Sequence, residues 1–264
     1  MLIINADDWG RSQAETDAAL SCFSAGRIHS VTAMVFMQDS RRAADLAIRA
    51  GLDVGLHLNL NVPFTGTVGS PRLASYHAAL VRFMGMGKYS QLIYNPFLRN
   101  AFKFVYQAQS DEFGNLYGRL PSHIDGHQHR HLCLNMLLDG IIPPGHVVRR
   151  NFTFDPGEKG MLNRRYRRWV DRQLARRYRL TDYFYSLERL MENDTLDRVC
   201  QLGRNSVVEL MAHPVKPQEF ACLMSEQQGM RLSDVPCGSF MSLSQKPSFP
   251  LVNCNQRVAN GGGL

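Results

Sequence analysis

Short apolar runs alternate with longer amphipathic segments from the first residues of this chain onward. "LIINAD" (2–7), closed by polar residues and Gly10, has the pattern of a buried strand. In "SQAETDAALSCFSAG" Ser12 fits a helix N-cap, Glu15 its capping-box partner three residues on, and Gly26 the stop. The rhythm repeats: "SVTAMVF" (30–36) reads as a strand, "SRRAADLAIRAG" (40–51) as a helix ending in glycine, and "DVGLHLNL" (53–60) as a strand. After a loop rich in Pro and Gly (62–71), the pattern predicts helices near 76–86 and 98–109 and strands at 121–126, 146–152 and 206–213. Strands alternating with helices predict an α/β fold with a mainly parallel sheet, open or closed into a barrel. No repeat or linker divides the chain, so a single domain over 1–250 is expected, with a poorly ordered tail at 251–264.

Composition narrows the class. The 264 residues, 44% of them apolar, suffice for a real core. No run of about 18 apolar residues predicts a transmembrane helix, and the start lacks a signal-peptide layout, so a cytoplasmic protein, peripheral to the membrane at most, is expected. The six cysteines are scattered without a CxxC pair and read as mostly buried thiols.

Charge is concentrated in one segment. Arg149 to Leu180 holds eleven Lys or Arg against three acids, a balance of +8 within a chain of net +7. Inside it, Leu162, Tyr166, Trp169, Gln173 or Leu174, and Tyr178 recur at helical spacing, which predicts a basic amphipathic helix across 161–180. Two readings stay open for it: a solvated helix packed through its aromatic stripe, or a surface for an anionic partner, with nucleic acid the least favoured. Self-association into a homo-oligomer is also left open.

Functional residues of parallel α/β folds gather beyond the carboxyl ends of strands. Here the first strand runs into Asp7 and Asp8, the third carries His57, another ends in Asp125 and His127, and a late one in His213. Each alone has an ordinary explanation, a cap or a hydrogen-bonded core histidine, but four strand ends together point to a metal site. Asp and His donors without thiolate suit Zn²⁺ or Mg²⁺. In "SHIDGHQHRH", four of the nine histidines fall within ten residues, and His123, Asp125, His127, His129 and His131 share parity. They cannot all reach one ion. His127 is the expected ligand, with Asp125 as a partner that could orient it.

"NADDWG", "GLHLNL", "HIDGHQHRH" and "ELMAHP" together resemble the YdjC-like (ChbG/HpnK) carbohydrate deacetylase family, in order and spacing over about residues 1 to 245. The resemblance implies an incomplete or distorted (β/α) barrel of the glycoside hydrolase/deacetylase type. It also implies divalent-metal-dependent removal of an N-acetyl group from an amino sugar, whether a chito-oligosaccharide or a lipid- or nucleotide-linked acetamido sugar. The matching positions for the metal are Asp8, His57 and His127, with one Mg²⁺ or Zn²⁺. Asp7 matches the base and His213 the family's late histidine, a general acid or a positioning group. Trp9 stands where the family usually has phenylalanine and keeps an aromatic wall. Candidates for substrate contact are Trp9, Asn59, Asp125, His129, Arg150 and Glu209. The alternatives are hydrolysis of another amide or ester at the same metal, and a non-catalytic metal- or sugar-binding protein.

Overall fold

The computed structural model describes residues 1–87, 89–154, 158–226 and 235–244. Its strands are β1 (Leu2–Trp9), β2 (Ser30–Ala33), β3 (Asp53–Leu58), β4 (Ile124–Gly126), β5 (Tyr183–Ser186) and β6 (Val208–Ala212). They form one sheet in the order β4-β3-β2-β1-β6-β5, and every pairing is parallel. Helices α1 (Gln13–Ser24), α2 (Ser40–Ala50), α3 (Pro71–Met84), α4 (Arg99–Tyr117) and α5 (Leu134–Leu138) lie in the first half. The second half adds α6 (Met161–Ala175), α7 (Leu187–Glu192), α8 (Leu196–Asn205), α9 (Pro217–Met224) and α10 (Phe240–Ser244). The six strands curl into a half-barrel, as an incomplete (β/α) barrel requires. No helix among the described residues is long and apolar enough to cross a membrane.

The strands are buried on both faces, yet their two faces differ chemically. Leu2, Ile4 and Ala6 of β1, Val54 and Leu56 of β3, and Leu210 of β6 join the large apolar core under the helices. The alternate positions, Asn5 and Asp7, Ser30 and Thr32, His57, Asp125 and Glu209, are buried polar residues on the concave side, bonded to one another except for Glu209, which bonds to Arg149. Period-2 alternation thus builds an apolar shell and a polar lumen from the same strands. The lower end of the lumen is plugged by Ile3, Val147, Val207, Phe240 and Leu243, with the Phe240 ring stacked 3.6 Å from that of His123.

Several local expectations change. The segment 146–152 is not a strand: it makes only isolated bridges, Val148 with Ile124 and Val147 with Arg179. It crosses the gap between the edges β4 and β5, where Arg149 N–H bonds to the Ile124 carbonyl and Thr153 N–H to that of Phe184. A segment that must bridge two separated edges cannot follow either one in regular register. Strand β5 is absent from the expectations. Ser12 does occupy the N-cap of α1, but its hydroxyl contacts the Glu15 carboxylate and caps no backbone N–H. Helix α6 packs through Tyr166, Val170 and Leu174 at i, i+4 spacing, while Leu162, one turn earlier on the same stripe, is exposed. Cys22, Cys133 and Cys200 are buried, whereas Cys237 is exposed. Cys254 and the tail 251–264 lie outside the described residues.

Gly55 lies on the lumen face of β3, where an added Cβ would stand 2.5 Å from the His123 ring and 2.7 Å from its carbonyl oxygen. Gly55→Ala is expected to destabilise the fold by about 1–3 kcal/mol in a denaturant titration. Gly69→Ala, with nothing within 4 Å of the new methyl, is the control expected to leave the midpoint in place.

Candidate metal centre and active site

The two adjacent aspartates of β1 serve different neighbours. Pairing of β1 with β2 slips between Ala6 and Trp9, and Asp8 takes φ 66°, a left-handed conformation that Asp tolerates better than most residues. The slip sends the Asp7 carboxylate toward Arg149 and the Asp8 carboxylate toward two imidazoles. Asp8 Oδ1 lies 3.3 Å from His57 Nε2 and 2.9 Å from His127 Nδ1. Asp8, His57 and His127 each offer a donor atom, all within 4.8 Å of one another, and all three residues are buried. His57 is turned by Asp125, whose Oδ1 accepts from Nδ1 at 2.7 Å and leaves Nε2 directed at the cluster. That is how a carboxylate orients a metal-binding imidazole. Asp125 therefore partners His57, whereas His127 bonds to Asp8 itself.

Arg149 completes the polar lumen. Its Nη1 and Nη2 each lie 2.7 Å from an oxygen of Asp7, Nη1 is also 2.6 Å from Asp125 Oδ2, and Nε donates to Glu209 at 2.6 Å. Asn5 and Thr32 donate to Asp7 Oδ1 as well. A second grouping, Asp7, His57 and Asp125, also has metal-ligand spacing, but Arg149 already occupies both of its carboxylates. The first grouping is the one that fits a cation. Asp7, Asp125 and Glu209 share the buried Arg149 guanidinium, while Asp8 meets the partly exposed Arg11 at 3.1 Å besides the two imidazoles, and this carboxylate-rich pocket suits a divalent ion.

Electrostatic shifts follow from this crowding. Burial opposes ionisation of Asp8, but hydrogen bonds from His127 and His57 outweigh it and hold the carboxyl well below the usual range. Burial likewise disfavours a charged His57, yet the Asp125 carboxylate, with Asp8 and Asp7 nearby, raises it to about 10. Glu209 moves up to about 7, because burial and the charges of Asp125 and Asp7 outweigh its bond to Arg149. His131 falls to about 4 through burial and points Nε2 at the Arg149 carbonyl oxygen, 3.0 Å away, bracing the arginine's backbone.

The remaining expected residues fall into separate places. His213 follows β6, its backbone N–H bonded to Glu219 Oε2 and its Nδ1 3.6 Å from Glu219 Oε1. Burial would lower the His213 pKa, but Glu219, Asp7 and Asp8 raise it. His129 stands edge-on to Phe152, centroids 4.5 Å apart, on the wall of a cavity of about 450 Å³ that Gln128, Phe152, Tyr166 and Arg167 also line. Trp9 is wholly buried and donates to the Ala43 carbonyl at 3.2 Å, so its ring faces the core instead of forming a wall for a ligand. Asn59 is buried and folds its own loop, bonding Val62 and Asn61. Arg150 points away, pairing Asp171 at 2.8 Å. Of the pair "RR", Arg149 stands at the centre of the lumen and Arg150 at its edge. Glu219 was missed, since its six-residue distance from His213 leaves no motif.

Glu209 yields a pH dependence with a defined sign. In the folded chain its proton persists to about 7, against an ordinary 4.5, so the native state binds the extra proton across that window. Stability from this group is complete below the ordinary value and is lost as pH rises toward neutrality. In chelator-treated protein, Glu209→Gln is expected to flatten the fall in unfolding free energy over this range by on the order of 2 kcal/mol. Equal slopes for variant and parent would show that Glu209 is ionised throughout.

Comparison with known proteins places this geometry in a family. The chain is 30% identical over 134 residues to a carbohydrate deacetylase of Danio rerio, 50% of this chain but only 42% of that protein. It is 27% identical over 224 residues to a chitooligosaccharide deacetylase of Yersinia enterocolitica, with 81% of each chain covered. Against the vertebrate relatives, from Danio rerio and Mus musculus, the matched stretch spans less than half of the relative's length, 42% and 43%. A crystal structure from Enterococcus faecalis V583, described as a candidate cellobiose-phosphate cleavage protein, superposes with TM-score 0.66 at 19% identity, over 92% of this chain and 98% of that one. That likeness establishes the shared fold. The YdjC-like protein model matches residues 1–235, and the chain belongs to the YdjC-like family.

Proposed function

We propose that this protein is a divalent-metal-dependent carbohydrate N-deacetylase, which hydrolyses the acetamido group of an amino sugar. The observation that carries the reading is the buried cluster of Asp8, His57 and His127 with a second carboxylate, Asp7, beside it. The names of the curated relatives support the same reaction class.

Amide hydrolysis needs a nucleophile at neutral pH, a stabilised oxyanion and a proton for the departing amine. A cation held by Asp8, His57 and His127 would supply Lewis acidity and a water of lowered pKa. Asp7 would serve as the base that accepts the attacking water's proton. It suits the task because Arg149, Asn5 and Thr32 fix both carboxylate oxygens and keep it apart from the ligand set. Asp125 aims His57 while Arg149 holds Asp125, so one guanidinium aligns both the base and a ligand. His213, charged more readily because of Glu219, delivers a proton to the sugar nitrogen. The sugar occupies the cavity lined by Phe152, Tyr166 and His129, whose ring faces suit a pyranose. An acetylated amino sugar is therefore the substrate, and Mg²⁺ or Zn²⁺ the cofactor.

Asp7→Asn is expected to keep its metal by elemental analysis while acetate release falls about 10²–10⁴-fold. Asp8→Ala and His127→Ala are expected to lose metal and activity together. Screening acetate release from chitobiose-like, lipid-linked and nucleotide-linked acetamido sugars measures all three variants. Near-parental turnover by Asp7→Asn would remove Asp7 from the reaction, and full metal occupancy in both ligand variants would remove the proposed centre.

A further inference from the structure

The cavity beside His129, in which the proposed function seats the sugar, opens between two stretches of chain. One bank carries Tyr89 and Leu92, and the other carries Lys159 and, from α6, Asn163, Tyr166 and Arg167. Tyr89 and Asn163 line the cavity yet are themselves exposed, so they mark its mouth. Next to these lining residues in the chain, both banks carry apolar side chains exposed to solvent: Tyr89 itself and Ile93 on one, Met161 and Leu162 on the other, with Leu162 83% exposed. Single exposed apolar residues are ordinary on a soluble protein, but a group of them around one opening marks an interaction surface.

Charge says which kind. Arg164, Arg165, Arg168 and Arg172 of α6 are exposed, and among the described residues none of the four appears in an ion pair. With Lys159 and Arg167 on the cavity wall, these four arginines give α6 and the residue stretch before it a cationic surface. Arginines interleaved with exposed apolar groups fit the boundary of an anionic bilayer, where cations meet lipid phosphates and apolar side chains enter the acyl region. A nucleic acid would use the arginines but would leave Met161, Leu162 and Ile93 unburied.

We propose that the mouth of this cavity docks on an anionic phospholipid bilayer, with α6 lying along the headgroups and Met161, Leu162, Tyr89 and Ile93 inserted. The cavity then opens at the lipid surface, and an amphiphilic sugar could enter it without first crossing water. The inference is independent of deacetylation, because its test reads binding and not turnover.

The full chain carries its own reporter. Of its two tryptophans, Trp9 is wholly buried and Trp169 of α6 is 37% exposed. With vesicles of phosphatidylglycerol and phosphatidylcholine the protein is expected to co-sediment and its emission to shift to the blue; with phosphatidylcholine alone it stays in solution. Replacing Arg164, Arg165 and Arg168 together by Gln is expected to weaken binding roughly 100-fold, on the scale of one lipid-facing cation each. Leu162→Ser combined with Ile93→Ser, which leaves the charge intact, is expected to weaken it roughly tenfold. Circular dichroism confirms that each variant is folded. The proposal fails if the parent protein ignores anionic vesicles at low salt. It also fails if the double Ser variant binds them as the parent does, which would make the face a general polyanion surface, to be seen equally with duplex DNA.

Discussion

Asp7, Asp125 and Glu209 come from three different strands and converge on one guanidinium. Burying three carboxylates is costly unless each finds a cation or donors, and Arg149 is the buried cation that reaches all three. Arginine suits the position where lysine would not, because its planar fork can address Asp7 with two parallel bonds and still offer Nε to Glu209. One guanidinium cannot neutralise the whole group. Glu209 is pushed toward its protonated form, and Asp8 turns to the histidines, so the residual negative charge falls where a divalent ion would sit.

The same constraint shapes the backbone. Arg149 has to enter the lumen from the side where the half-barrel is open, between β4 and β5, and its segment is held there by isolated bridges and by His131 behind its carbonyl. The slip in β1 then turns Asp8 to the same side as Asp7, although a regular strand would have placed the two neighbouring carboxylates on opposite faces of the sheet. One becomes part of the Arg149 network and the other meets His57 and His127. The site thus depends on two departures from regular strand geometry, each at the carboxyl end of the sheet, where a parallel α/β fold leaves room for chemistry.

Much of this was legible in the residues. The order of strands and helices through β3, Gly51 as the stop of α2, and the acids and histidines at strand ends all follow from local pattern, because periodicity reports which side chains must be buried. Reading the histidine run was harder. The strand expected at 121–126 does end at Gly126, but parity carries no information beyond it, where Gln128 and His129 take φ of 51° and 57°. Their side chains therefore scatter: His123 to the plug, His127 to Asp8, His129 to the cavity wall and His131 to Arg149. In α6 the stripe read through Leu162, Tyr166, Trp169 and Leu174 is redrawn by packing, which buries Val170 and Leu174 and leaves Leu162 and Trp169 exposed.

Sequence by itself determined that this chain folds as alternating strands and helices, that its strands have one apolar face, and that Asp7, Asp8, His57, His127 and His213 stand at strand ends. Those properties depend on residues within a few positions of one another. Tertiary structure decided which of two adjacent arginines enters the lumen, which histidine Asp125 orients, and that Trp9 belongs to the core. Such choices depend on side chains tens to hundreds of residues apart meeting in a space with too few cations for its carboxylates, and no local pattern records that shortage.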